Sequence, residues 1–515
     1  MKKIIRSKKN SLLALLLTVA MLATMTGCGG QTTQTEDAAV EDTVADATET
    51  DTAEADVAED VAEEDAQAEE EPAEERVPKQ VIVYFANWYL DDKEAMQGGE
   101  VASIDWENVT FVNHAFWAPY PADGTTETSF ERRANGDPAR TEFKAVSTFP
   151  EADYMDQTPS AVDSSMARNH FAEYAAFSEK YPDVNIMISF GGWTESGYFS
   201  EMAYTPEGRA SFIQSCMDLM EQYPWIDGID IDWEYPGGSN DGERYPEDEI
   251  DQGCPIWGTK YEDTANFPAL CKEFRETMDA KYGAGVKKLT ACASASTGWT
   301  LPNQDWPAAE PYLDYINIMT YDMAGTWDTA AGHASGLNWV KNALVYYMTD
   351  EIPFAKLNIG APLYGTGLIL GGKGELNPSK IVGWPIDQMG YINKDSLIVD
   401  KIKEFEAEAV SGYDIVWENG VPVMGDKWDN SEDGTIKGWH FAYDKANQAA
   451  YMYNDDETSE YYRWYISYEN LLALQAKLDL IEQYNLAGII VWESSQDTED
   501  HEMIGQMGEF LLQDK

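Results

Sequence analysis

The sequence predicts an α/β protein: a TIM (β/α)8 barrel with an α+β insertion between its seventh and eighth strands. Three observations carry this. Short apolar runs recur about eight times, several of them separated by stretches of helical period, which is the alternation of a parallel sheet with right-handed crossovers. One run, Asp227 to Pro236, sets acids at alternate positions of a short buried strand. The interval from Leu363 to Ser467 is about a hundred residues, too long for a crossover, and is rich in Trp, Tyr, Gly and short strand patterns.

Residues Met1 to Gly27 read as a bacterial export signal. Lys2, Lys3, Arg6, Lys8 and Lys9 form the charged end, and Leu12 to Leu22 an apolar core too short for a comfortable membrane span. Met25-Thr26-Gly27-Cys28 resembles a lipoprotein cleavage box. Cys28 is then expected to be lipidated and to hold the protein on the extracellular face of the cell membrane; simple cleavage and secretion is the other outcome. Residues 28–76 are dominated by Ala, Glu, Asp and Thr, with no Lys or Arg before Arg76. Such a segment cannot bury enough apolar surface to offset its chain entropy, so it reads as a disordered, self-repelling tether.

The folded part is expected over 77–515. Strands are predicted at Gln80 to Phe85, Phe111 to Phe116, Asn185 to Phe190, Gly228 to Asp232, Lys288 to Ala293, Tyr315 to Met319, Lys356 to Ala361 and Ala487 to Val491. A helix begins at Thr205-Pro206-Glu207, with a cap, a first-turn proline and an early acid, and continues with Phe212, Ile213, Met217 and Met220 at helical spacing. Others span Glu262 to Tyr282, Leu337 to Met348 and Glu469 to Tyr484. Within the insertion, taken as 366–466, the runs Tyr413 to Trp417, Trp439 to Tyr443 and Ala450 to Tyr453 look like small antiparallel strands.

Over 515 residues the formal net charge is −57, which argues against a nucleic-acid or anionic-membrane partner because phosphates are repelled. The five cysteines show no C-x-x-C pair and no Cys/His metal spacing. Cys216 and Cys271 on apolar helix faces and Cys292 in a strand read as buried thiols, with a bridge from Cys254 left open.

In Asp227 to Pro236 the acids Asp230, Asp232 and Glu234 alternate with Ile229, Ile231 and Trp233, so the three carboxyl groups fall on one face. They cannot all ionise cheaply, and one is expected to keep a proton, as a general acid requires. A calcium loop is the rival reading, but such loops bend at glycine, where Ile and Trp stand here.

The decapeptide resembles the D-G-x-D-x-D-x-E strand of glycoside hydrolase family 18, and its D-W-E-Y-P ending the chitinase branch. The resemblance extends from about Val81 to Glu493. Ser189-Phe190-Gly191-Gly192-Trp193 is similar to the family's S-x-G-G motif, which implies that Ser189 supports the first acid, Asp230. Met319-Thr320-Tyr321-Asp322 is similar to M-x-Y-D. There Tyr321 would bond the substrate's acetamido oxygen, Asp322 would position the sugar, and Met319 would shape the pocket floor. Tyr84 matches a tyrosine that supports the acid row, and Trp492 the tryptophan on which the reacting sugar rests. Trp193, Phe116, Trp327 and Tyr235 are candidates for lining the cleft, with core packing as the other reading. The long interval matches the small insertion that walls the cleft in chitinases. Thr366 stands where many chitinases carry arginine, which removes one polar contact on the non-reducing side.

The resemblance implies hydrolysis of β-1,4-linked N-acetylglucosamine polymers or oligomers with retention. Glu234 would serve as acid and then base, Asp232 would hold the acetamido N–H, Asp230 would support Asp232, and the substrate's own acetamido oxygen would be the nucleophile. It implies no metal or cofactor, and a monomer is expected. Three rivals stand beside it: a lectin-like glycan binder on the same fold, a solute-binding lipoprotein, and a hydrolase of peptidoglycan or N-glycan cores.

Overall fold

A computed structural model describes residues 75–88, 100–160, 163–238, 254–298, 300–372, 374–391, 417–418, 421–422, 439–498 and 500–513. The export signal, nearly all of the tether, Cys28 and most of the run Tyr413 to Trp417 lie outside them.

The apolar runs form strands because they are covered on both faces, as parallel barrel strands must be. In chain order the main sheet contains β1 (Gln80–Ala86), β2 (Phe111–Pro121), β3 (Phe143–Ser147), β4 (Asn185–Gly191), β5 (Gly228–Asp232), β6 (Lys288–Ser294), β7 (Tyr315–Met319) and β8 (Leu357–Pro362). After these come β9 (Thr366–Leu370), β10 (Ile386–Tyr391), β11 (Trp417–Glu418), β12 (Val421–Pro422), β13 (Trp439–Asp444), β14 (Ala449–Asn454) and β15 (Trp464–Tyr468), and finally β16 (Gly488–Trp492). All the strands of the main sheet except β3 are parallel, and pairing of β1 with both β2 and β16 closes them into the eight-stranded barrel. The closing register sets Gln80 against Gly488 and Ile82 against both Ile490 and Phe111.

Helices cover the outside. Thr205 caps the helix Pro206–Gln222 through Gly208 N, Thr259 and Glu262 form a reciprocal capping box on Lys260–Tyr282, and Asn470 caps Leu471–Gln483. Outward side chains such as Ile229 and Ile231 pack with Phe212, Phe267 and Phe274 of these helices. Inward ones, among them Ile82, Tyr84, Met187, Cys292 and Ile490, fill the barrel. The described cysteines Cys216, Cys254, Cys271 and Cys292 are buried and free, so Cys254 forms no bridge with them.

Between β8 and β16 the chain builds a separate antiparallel sheet of order β10-β9-β15-β14-β13. Its core is Trp439, Phe441, Met452, Ile466 and Tyr468. Among the described residues no helix is long and apolar enough to cross a membrane.

The expected second strand stops too early. β2 runs on to Pro121 and pairs antiparallel with β3. Pro119 and Pro121 hide this extension, since proline cannot donate to a ladder. The outer edge of β3 is satisfied by helix side chains instead of a strand: Phe143 N donates to Ser211 Oγ at 2.6 Å and Ala145 N to Ser215 Oγ at 3.0 Å.

Candidate active site

Side chains at the C-terminal ends of parallel barrel strands converge on one face. Asp230 and Asp232 point inward from β5, and both are buried. Asp230 is the best-anchored group of the site. Its Oδ2 accepts from Ser189 Oγ at 2.8 Å and Tyr84 OH at 3.0 Å; its Oδ1 accepts from Thr290 Oγ1 at 2.5 Å and Asn317 Nδ2 at 3.3 Å. These donors come from β4, β1, β6 and β7, so the carboxyl is held from four strands. Burial pushes Asp230 above the ordinary carboxylate range, and its donors pull part of the way back.

Asp232 is different. The Cys292 thiol, which donates to Asp230 Oδ2 at 3.7 Å, also borders Asp232, whose Oδ1 is buried with no partner among the described residues. Burial first, then the neighbouring Glu234 and Asp230, raise this carboxyl well above its usual range. Of the two acids on β5, Asp232 is the one whose surroundings favour the protonated form more strongly. Reading Asp227 to Pro236 as one strand would put Glu234 on it, but β5 stops at Asp232, the bound of the predicted run Gly228 to Asp232. Glu234 lies two residues beyond it and is half-buried. Ser196 Oγ accepts from its backbone N–H at 3.1 Å, and the Tyr235 phenol is hydrogen-bonded to its side chain.

Tyr321 is buried at the mouth, and its phenol is held protonated by burial and by the fields of Cys292, Asp232 and Glu234. Gly360 on β8 makes room for it: a Cβ there would come 2.6 Å from the Tyr321 ring. Asp322 is exposed and accepts from Tyr364 OH at 2.8 Å. Trp492 ends β16 half-buried, stacked on Phe116 at 5.4 Å and close to Tyr84 at 5.8 Å and Trp88 at 6.2 Å. Met319 packs beside this group at the end of β7. Gly191, at φ +112°, allows β4 to touch the site, because a Cβ would fall 2.1 Å from Asp232 O. Trp193 and Trp327 are more open, 38% and 66% exposed. Thr366 begins β9 opposite Ser467.

Sequence reasoning missed Thr290, Cys292, Asn317, Trp88, Tyr364 and Ser196. Thr290 and Cys292 stand two apart on β6 and Asn317 interrupts an apolar run on β7, so polar residues at inward positions were the available signal.

A second buried polar cluster lies off the acid row. Asp153 Oδ1 contacts His114 Nε2 at 2.8 Å and His170 Nδ1 at 3.2 Å. Its Oδ2 accepts from Ser147, Trp117 and Asn87 at 2.5, 2.8 and 3.3 Å. His114, Asp153 and His170 are residue types that hold metals. Here the hydrogen bonds already occupy both oxygens of the carboxylate. Burial opposes its charge, but His114 and His170 outweigh that and hold Asp153 below the usual range.

Fold and site together define a parallel-barrel protein with a row of buried carboxyl groups at one end of its strands. More particularly, the chain belongs to family 18 of the glycosyl hydrolases, whose profile matches residues 80–497. It is 27% identical over 465 residues to chitinase ChiA of Flavobacterium johnsoniae, covering 82% of this chain and 27% of that one. It is 27% identical over 433 residues to chitinase C of Streptomyces lividans, covering 81% of this chain and 57% of that one. The chain thus spans only part of the length of these relatives. In fold it is similar to the Group IV chitinase of Ostrinia furnacalis, with a TM-score of 0.62, 22% identity, and coverage of 84% of this chain and 100% of that one.

Proposed function

We propose that the protein hydrolyses β-1,4-linked N-acetylglucosamine polymers or oligomers of the chitin type, with retention of configuration. The observation that carries this is the acid row itself: an Asp230 anchored from four strands, an Asp232 with one oxygen unpartnered among the described residues, and a half-buried Glu234 at the mouth. Family membership and chitinase relatives support the substrate class.

Glu234 protonates the glycosidic oxygen of the leaving sugar. The substrate's acetamido oxygen attacks the sugar carbon from the opposite face. Asp232 Oδ1 takes the acetamido N–H, and Tyr321 OH donates to the acetamido oxygen. These two bonds orient the nucleophile, and the negative charge that the Asp230–Asp232 pair keeps while sharing one proton stabilises the cationic ring that forms. Asp230 keeps Asp232 in place and shares its proton demand. Glu234 then deprotonates the incoming water. Trp492, on its shelf of Phe116 and Trp88, offers a flat apolar face to the sugar and excludes water. The five-stranded sheet β10-β9-β15-β14-β13 forms a wall of the cleft as a chitinase insertion subdomain. Lipidation at Cys28 would hold the enzyme outside the cell membrane on the 28–76 tether.

The test compares wild type with Glu234→Gln on N-acetylglucosamine oligomers, following product mass and anomeric form. Retaining cleavage by the wild type, lost in a variant that still binds, is the expected result. Binding without cleavage by the wild type would make the protein a glycan binder. Neither binding nor cleavage would move the substrate to peptidoglycan or N-glycan cores.

A further inference from the structure

Glu234 stands two residues past the last residue of β5, so the barrel ladder does not hold it. Upstream, its N–H is fixed by Ser196 Oγ at 3.1 Å, and Ser196 Oγ donates to Gly192 O at 2.8 Å. Downstream, Gly238 N donates to Tyr235 O at 2.9 Å and closes a tight turn. Gly237 within that turn has φ +82°, and a Cβ there would meet Asn303 at 2.8 Å. The turn therefore cannot be held by a larger side chain of its own.

It is held from outside by Asp263. This residue lies in the first turn of the helix Lys260–Tyr282 and is fully buried. Its Oδ2 accepts from Gly237 N at 3.2 Å, and its Oδ1 accepts from Ser200 Oγ at 2.7 Å. Ser200 Oγ in turn accepts from Trp257 N at 2.7 Å. One carboxyl thus ties together the turn after Glu234, the short helix Phe199–Tyr204 and the segment entering the long helix. Among the described residues, its side-chain hydrogen-bonding partners Gly237 N and Ser200 Oγ are uncharged and no ion pair to it is found. The charged or titratable groups that face it are Glu262 on its own helix, Arg133 on the helix Ser129–Asn135, and the Cys254 thiol. Burial, the largest influence, lifts its carboxyl to about 7. A buried acid in that state costs stability without supplying a charge pair, the pattern expected of a group retained for geometry at a working site.

We infer that Asp263 is a positioning residue for the reaction: its carboxyl fixes the Tyr235–Gly238 turn and through it the aim of Glu234 into the cleft. The inference rests on the role given to Glu234 above. Asparagine at 263 keeps an oxygen for Gly237 N and offers its N–H to Ser200 Oγ, so it preserves the tie. Alanine removes the tie.

The experiment measures kcat and KM for a tetramer of β-1,4-linked N-acetylglucosamine with wild type, Asp263→Ala, Asp263→Asn and Glu234→Gln, alongside thermal unfolding. Asp263→Ser, whose hydroxyl is too short to reach Gly237 N, takes the place of the alanine variant if that one does not fold. A misplacement of about 1 Å costs on the order of 100-fold in turnover. The alanine or serine variant should therefore lose kcat on that scale, with KM within about threefold of wild type, and asparagine should recover most of it. A wild-type kcat in the alanine or serine variant would overturn the inference. So would equal losses in the alanine and asparagine variants that track their melting temperatures. Undiminished turnover in Glu234→Gln would instead sink the role of Glu234, whatever Asp263 does.

Discussion

Replacing Asp230 with alanine tests the anchoring of the acid row. Five donors converge on this carboxyl, the Cys292 thiol at 3.7 Å being the most distant, but they do not lose equally. Tyr84 OH keeps Cys292 Sγ at 2.9 Å and Asn317 Nδ2 at 3.3 Å. Ser189 Oγ and Thr290 Oγ1, both fully buried, lose the acceptors that held them at 2.8 and 2.5 Å. A stranded buried donor costs about 1–3 kcal/mol, so these two hydroxyls predict a loss of about 4 kcal/mol. Asparagine keeps the shape and one acceptor oxygen, and removes a charge whose burial the fold opposes. Asp230→Asn should therefore unfold within about 1 kcal/mol of wild type. The same substitution removes a neighbour that raises Asp232, and turnover should fall about tenfold as that carboxyl loses the partner with which it shares its proton. Urea unfolding at neutral pH with m-values compared, alongside turnover on an oligomer, reads both effects. An alanine variant as stable as wild type, or an asparagine variant as unstable as the alanine one, would refute the reasoning.

Two further outcomes are expected. Burial raises Glu493 to about 7. A carboxyl whose folded value lies above its unfolded one takes stability away as pH rises from its ordinary range through about 7, and the deficit stays constant above that. Glu493→Gln should therefore gain up to about 3 kcal/mol over wild type at pH 8 and nothing at pH 4, read by denaturant midpoints at both. Cys28→Ser should abolish fatty-acid labelling and release the protein from membranes; labelling that persists in this variant would remove Cys28 as the anchor.

The barrel was legible because its strands are buried on both faces and so read as unbroken apolar runs. The helices were legible where a cap announced them, as Thr205 does before Pro206. What could not be read depends on closure. Nothing in the run Lys288 to Ser294 says that Thr290 will face Asp230 across the barrel, and nothing in Tyr315 to Met319 says that Asn317 will join it. Those meetings are set by barrel register, not by local pattern. The same holds for Trp88, placed beside Trp492 only when the first and last strands pair. The alternation argument also overreached by one step. It put Glu234 on the strand with Asp230 and Asp232, whereas the strand ends at Asp232 and the chain turns.

The seam between β1 and β16 has a consequence for how the molecule comes into being. Val77 bonds Asn485 across 408 residues of sequence, and Gln80 pairs with Gly488 beside it. Until the final strand is made, β1 and β8 are two raw edges of an open sheet, and the slowest contacts of the fold are the ones that seal it. Trp492 arrives with that last strand. A growing chain that already carries every acid of the row therefore still lacks the platform on which a sugar could rest, and chains cut short before Gly488 should have no site at all, not a weaker one.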